Sequence, residues 1–102
     1  MDSDKSIIKT SIDNSSKVEF KILCVQNELT ISHMLEELVE DLLNTERHIP
    51  QNIKFKSENM QVIKAYIPKE LKLRFKLFCI QKQISMNYTL RFLIQDLIES
   101  QK

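Results

Sequence analysis

Residues 6–45 lie on residues 61–100 without a gap, and twelve of the forty aligned positions are identical. Ile8/Ile63, Lys9/Lys64 and Ile12/Ile67 match at the start of each copy. Lys17/Lys72, Phe20/Phe75, Lys21/Lys76, Cys24/Cys79 and Gln26/Gln81 match in the middle. Leu35/Leu90, Leu38/Leu93, Asp41/Asp96 and Leu42/Leu97 match at the end. Other pairs keep their character: Val18/Leu73, Ile22/Leu77, Val25/Ile80, Leu29/Ile84 and Thr30/Ser85. Whatever one copy builds is therefore built twice.

Each copy reads as a short strand and two amphipathic helices. In Ser6–Ile12, Ile8, Thr10 and Ile12 alternate with Ile7, Lys9 and Ser11, the two-residue period of a half-buried strand. Ile63, Ala65 and Ile67 alternate with Val62, Lys64 and Tyr66 in the same way. Asp13 or Asn14 can cap the first helix. From Ser16 to Gln26 the apolar positions are Val18, Phe20, Ile22, Leu23, Cys24 and Val25, and Phe20/Cys24 and Val18/Ile22/Val25 recur at helical spacing, giving a wide apolar face. Thr30 and Ser85 are caps for the second helices, which carry Met34, Leu35, Leu38, Val39, Leu42 and Leu43 inward in one copy. Leu90, Leu93, Ile94, Leu97 and Ile98 do so in the other. Pro68 suits the first position of a helix, with Glu70 favourable in its first turn. Residues 1–5 are polar and expected to fray. Residues 46–60 are polar, hold Pro50 and read as a linker long enough to cross a small domain. Ile53 and Phe55 alternate there with Lys54 and Lys56, a pattern of packing or of strand pairing.

Several function classes drop out. No apolar run approaches the ~20 residues of a membrane span. Met1–Lys5 lacks the apolar core of a signal peptide, so a cytoplasmic location is expected. There is no glycine, which removes glycine-rich phosphate loops. Cys24 and Cys79 occupy equivalent apolar positions and read as core thiols. His33 and His48 have no companion suited to a metal or to proton transfer. Ser85 reads as a cap rather than a nucleophile. No catalytic residue, metal, cofactor or small-molecule substrate is expected.

The net charge of +1 conceals a split. Residues 6–45 hold three basic and seven acidic side chains, a balance of −4. Residues 61–100 hold seven basic and three acidic, a balance of +4. Such asymmetry points to an anionic partner for the second half, or to mutual steering of the halves.

One strand with two short helices has no complete core, and an isolated hairpin is marginal. Pairing the two copies, within one chain as the linker permits or between chains, supplies the remedy. Their strands form a two-stranded antiparallel ribbon over four helices, with Ile8, Ile12, Ile63, Ala65 and Ile67 facing inward. Ile7, Lys9, Ser11, Val62, Lys64 and Tyr66 then face outward. A two-stranded ribbon fits the major groove of B-DNA. The plain alternative is that Lys64 and Tyr66 are ordinary solvent-facing strand residues.

Residues 62–99 resemble the ribbon-helix-helix family of DNA-binding proteins, the Arc/MetJ/CopG class. The resemblance rests on the alternating strand ending in Ile67-Pro68, the helix start Lys69-Glu70-Leu71, and Ile84-Ser85-Met86-Asn87 opening the second helix. With its duplicate, the whole chain resembles a tandem single-chain pseudo-dimer similar to accessory proteins of plasmid transfer. The implied fold is mostly α with a short antiparallel ribbon, in the order β-α-α-linker-β-α-α. The first unit spans residues 6–45 and is acidic and degenerate; the second spans residues 61–100 and is basic. By position, the family implies base contacts from Val62, Lys64, Tyr66, Ile7, Lys9 and Ser11. It implies phosphate contacts at Ser85-Met86-Asn87 and Thr30-Ile31-Ser32, where helix N-termini favour anions; Lys69 and Lys72 add charge beside them. Glu28 and Gln83 stand where the family usually has glycine, and Asp13 replaces the proline.

The expected function is sequence-specific binding of double-stranded DNA, as a repressor or as a plasmid transfer or maintenance factor, with self-association along repeated half-sites. The alternative is a protein-interaction module of the same shape, or an antitoxin, with little DNA binding of its own.

Overall fold

The computed structural model describes residues 4–101. Residues 1–3 of the segment expected to fray lie outside the described residues. The elements run β1 (Lys5–Asp13), α1 (Asn14–Gln26), α2 (Ile31–Thr45), β2 (Met60–Pro68), α3 (Lys69–Lys82) and α4 (Met86–Ser100). The described residues are thus mostly helical, with one two-stranded antiparallel sheet among them.

The strands pair from Lys5↔Pro68 to Asp13↔Met60, within one chain. Alternation decides what each face meets. Ile8, Ile12, Ile63, Ala65 and Ile67 are all buried against the helices. The helices add Phe20, Leu35, Val39 and Leu42 from one half and Phe75, Leu90, Leu93 and Ile94 from the other. Fully burying each such side chain stabilises the fold by roughly 1.5–3 kcal/mol. Thr10, at an inward position between Ile8 and Ile12, is 3% exposed. A buried hydroxyl needs a partner, and its Oγ1 donates to Asn87 O at 2.9 Å.

Helix starts follow the capping chemistry. Asp13 accepts from Ser16 N–H at 3.2 Å, Thr30 from His33 N–H at 3.0 Å and Ser85 from Tyr88 N–H at 3.0 Å. Pro68 sits one residue earlier than expected. Its ψ of 139° is extended, so it is the N-cap, and Lys69 opens the helix. The Lys69 N–H donates to Asp4 O at 2.7 Å, which ties the start of the described chain to α3. At the turns between helices, Glu28 (φ 55°) and Gln83 (φ 58°) adopt the left-handed region despite their Cβ atoms. Leu29 N–H reaches Cys24 O at 2.9 Å, and Ile84 N–H reaches Cys79 O at 3.0 Å. These bonds, with Glu28 N–H to Val25 O and Gln83 N–H to Ile80 O, are the paired closures of a Schellman motif. The closure satisfies carbonyls the helix would otherwise leave open, which offsets the conformational cost.

The wide apolar face read in the first helix is buried only in part, and the same holds in α3. Ser16, Phe20 and Cys24 form the buried row of α1, while Val18, Ile22 and Val25 are exposed. Phe75 and Cys79 are buried in α3, while Leu73, Leu77 and Ile80 are exposed. At about 100° per residue, Val18 stands some 200° round the helix from Phe20. A helix that packs on the core along one side cannot bury both rows.

The segment between α2 and β2 has no strand. Ile49 is buried, and Ile53 and Phe55 pack against the core. It forms a strap along α4, held by Tyr88, whose hydroxyl donates to Pro50 O and accepts from Ile53 N–H at 3.3 Å. The Phe55 ring meets Tyr88 edge-on at 5.6 Å, and the Arg91 guanidinium lies 4.5 Å over Phe55. Arg91 also donates to Lys56 O, and Arg47 reaches Asp96 at 3.1 Å.

Candidate nucleic-acid interface

The outer face of the ribbon carries three side chains from each strand. They pair as Ile7↔Tyr66, Lys9↔Lys64 and Ser11↔Val62. Five of the six are exposed, and Ser11 is half-buried. The structure therefore brings together all six residues assigned to base contact. Lys9↔Lys64 is the one pair in this ladder whose members are also equivalents in the repeat.

Like charges directly across a ladder destabilise a sheet by roughly the 0.2–1 kcal/mol that opposite charges contribute. The two lysines stand at the centre of a surface that is otherwise Ile, Val, Tyr and Ser. Neither has an acidic residue beside it on this face. The ribbon concentrates positive charge on a twisted strip flanked by apolar and aromatic groups. Such a strip suits a polyanion.

The N-termini of α2 and α4 are braced against the ribbon in matching ways. Tyr66 N–H donates to Ser32 Oγ at 2.9 Å. Ser11 N–H points to Asn87 Oδ1 at 3.4 Å, and the same oxygen touches Thr10 Oγ1. Ser11 and Tyr66 are equivalents in the repeat, as are Ser32 and Asn87. The side chains of Ser32 and Asn87 are thus occupied within the fold, and those of Thr30 and Ser85 are occupied as caps. What each helix start offers an anion is its backbone. The N–H groups of Ile31, Ser32, Met86 and Asn87 lie in first turns, where no carbonyl lies one turn back. Thr30, Ser85 and Asn87 are exposed; Ile31, Ser32 and Met86 are half-buried.

Lys69 is exposed and Lys72 half-buried on α3. Lys17, the counterpart of Lys72, donates to Val62 O at 3.2 Å. That bond fixes α1 against the strand bearing Val62, Lys64 and Tyr66. The bracing by Ser32, Asn87 and Lys17 is absent from the sequence reading. Thr10 gave the available signal, since a hydroxyl in an inward strand position requires a partner.

Asp13 is occupied structurally. Burial alone would raise its pKa, but hydrogen bonds from Ser15 Oγ, Ser16 Oγ and Ser16 N–H draw it down to about 2. A cleft of about 350 Å³ opens beside it, walled by Ser16, Phe55, Phe92 and Gln95. Gln95 Nε2 donates to Ser16 Oγ at 2.7 Å, which links α4 to the cap of α1. Cys24 and Cys79 are free and buried, and burial raises both thiols above the ordinary range. Among the described residues, no group of three His, Cys, Asp or Glu is placed to hold a metal. Among the same residues, no helix is long and apolar enough to cross a membrane. Compared with protein-family models, with curated proteins and with solved structures, the chain finds no match.

Proposed function

We propose that the chain is a tandem ribbon-helix-helix protein that binds double-stranded DNA without catalysing a reaction. The ribbon lies in the major groove, where Lys64, Tyr66, Val62 and their partners Lys9, Ser11 and Ile7 read base edges. The N-termini of α2 and α4 hold flanking phosphates through backbone N–H groups and fix the register. Repression, or an accessory role in plasmid transfer or maintenance, is the setting in which such binding acts.

The observation that carries this reading is the Lys9↔Lys64 pair. Two exposed lysines facing each other across a ladder cost the free protein stability and give nothing back until an anion lies over them. The test is selection of bound duplexes from a random pool, followed by titration of single variants. Lys64→Ala should weaken binding to the selected site by roughly 1–3 kcal/mol, the value of a good base contact. The same change should leave the free protein as stable as before, or slightly more so. Affinity should also fall steeply with salt. Unchanged binding by both Lys64→Ala and Tyr66→Ala would refute the groove assignment.

A second reading has its own support. The outer face of α2 presents exposed Glu37, Glu40 and Asp41, uncovered by the strap that covers α4. That face suits a basic protein partner. Failure to select any duplex, with retention on a basic peptide array lost in Glu37→Lys/Glu40→Lys, favours it.

A further inference from the structure

The outer face of the ribbon is built from equivalent positions, yet its two ends differ. In the repeat, Ile7 corresponds to Val62 and Ser11 to Tyr66. Across the ladder, Ile7 faces Tyr66 and Ser11 faces Val62. The bulkier member of each repeat pair therefore falls at one end of the strip, and the smaller member at the other. Two identical strands would place the same pair at both ends. Between the ends lies Lys9↔Lys64, the same residue in both copies.

At the tall end Tyr66 is 55% exposed and Ile7 38%, so a phenol ring and a branched aliphatic chain stand together in solvent. At the low end Val62 is exposed and Ser11 half-buried. Each end is backed by one helix start. Tyr66 N–H donates to Ser32 Oγ of α2 at 2.9 Å, and Ser11 N–H points to Asn87 Oδ1 of α4 at 3.4 Å. Backbone N–H groups suited to phosphate are thus present at both ends. What separates the ends is how far their side chains reach past the backbone.

We propose, resting on the DNA-binding function above, that the duplex site is asymmetric and admits the chain in one orientation. The Lys9 and Lys64 ammonium groups take guanine O6 and N7 at the centre. Tyr66 and Ile7 pack on a thymine methyl at one end, because ring and aliphatic chain are the apolar contacts that a methyl group in the groove rewards. The Ser11/Val62 end holds its half of the site through phosphates and tolerates base changes there. Tyr66 is the residue that makes one half specific.

The test starts from a duplex selected from a random pool with the full chain. Each half is then copied in inverted form over the other, which gives two palindromes. One palindrome should bind the wild type within about twofold of the selected site. The other should bind about tenfold more weakly, within the range of a lost base contact. Tyr66→Ser places the same residue type at both equivalent positions and should bring the two palindromes to within about twofold of each other. Tyr66→Phe keeps the ring and should keep the tenfold gap, as should Ser11→Ala. Far-UV circular dichroism checks each fold; should Tyr66→Ser unfold, Tyr66→Thr takes its place. Two palindromes bound equally by the wild type, both weakened by Lys64→Ala, overturn the asymmetry and leave the groove reading standing. A gap that persists in Tyr66→Ser likewise overturns it. If no duplex is selected, or if Lys64→Ala and Tyr66→Ala bind as tightly as the wild type, the groove reading fails and takes the asymmetry with it.

Discussion

The two second helices, α2 and α4, occupy equivalent places and present opposite exteriors. Inside they agree: Leu35 and Leu42 in α2 sit where Leu90 and Leu97 sit in α4. Outside, His33, Glu36 and Glu37 of α2 correspond to Tyr88, Arg91 and Phe92 of α4. The α2 trio meets solvent, with His33 near Glu37 at 3.1 Å and Glu36 at 3.8 Å from Lys5. Tyr88 and Arg91 hold the strap through Phe55, Pro50, Ile53 and Lys56, and Phe92 lies under the Arg47 guanidinium at 5.4 Å. A duplicated scaffold thus needs identity only where the copies share a core. The connecting chain must return from α2 to β2 on one side, and that side acquires aromatic and guanidinium groups to receive it.

The sharpest break of this comparison is truncation at the equivalent positions His33 and Tyr88. Tyr88→Ala should cost about 2–3 kcal/mol in urea unfolding, below the range for a fully buried aromatic because the ring is half-buried. His33→Ala should stay within about 0.5 kcal/mol, as for an exposed ion pair. Equal costs would mean that the strap contributes nothing.

Acid offers the next contrast. Asp13 is folded with a pKa of about 2 against an ordinary 3.8, whereas its equivalent is Pro68, which cannot titrate. The depressed value means the carboxylate stabilises the fold above pH 3.8. The gain, about 2 kcal/mol by linkage, is lost as pH falls toward 2. Asp13→Asn should remove that part of the acid sensitivity and lower stability at pH 7. An unchanged slope of stability against pH between 4 and 2 would show the cap to be idle.

The smallest effect should be equal in both halves. Glu28→Gly and Gln83→Gly each relieve a Cβ in the left-handed region and should stabilise by about 1 kcal/mol. A gain at one turn only would show that the two closures are not equivalent, whatever their hydrogen bonds.

Much of the fold was legible because two periodicities did not compete. Alternation in Ser6–Ile12 and Gln61–Ile67 fixed the strand faces, and Thr30 and Ser85 marked helix starts. Pairing followed from the repeat, since one strand with two short helices has no complete core. The wide apolar face of α1 left open which row is buried, because an apolar residue has the same chemistry inside and outside. Only the lie of the helix on the sheet decides which row is buried. The strap was half-visible: Ile53 and Phe55 alternate, but nothing in sequence tells Tyr88 that its partner is the Pro50 carbonyl. At the candidate site, outward side chains were readable from alternation. The bracing by Ser32 and Asn87 was not, because it joins each second helix to the strand of the other unit.

One consequence of having both strands in a single polypeptide is that dilution cannot part them. A homodimer assembled from two copies of the first half would double its −4, with no basic half to balance it. Covalent connection removes that constraint, so either half can drift in charge while the shared core stays intact. The two sides related by the repeat can thereby differ in what they meet, which identical halves of a symmetric dimer cannot.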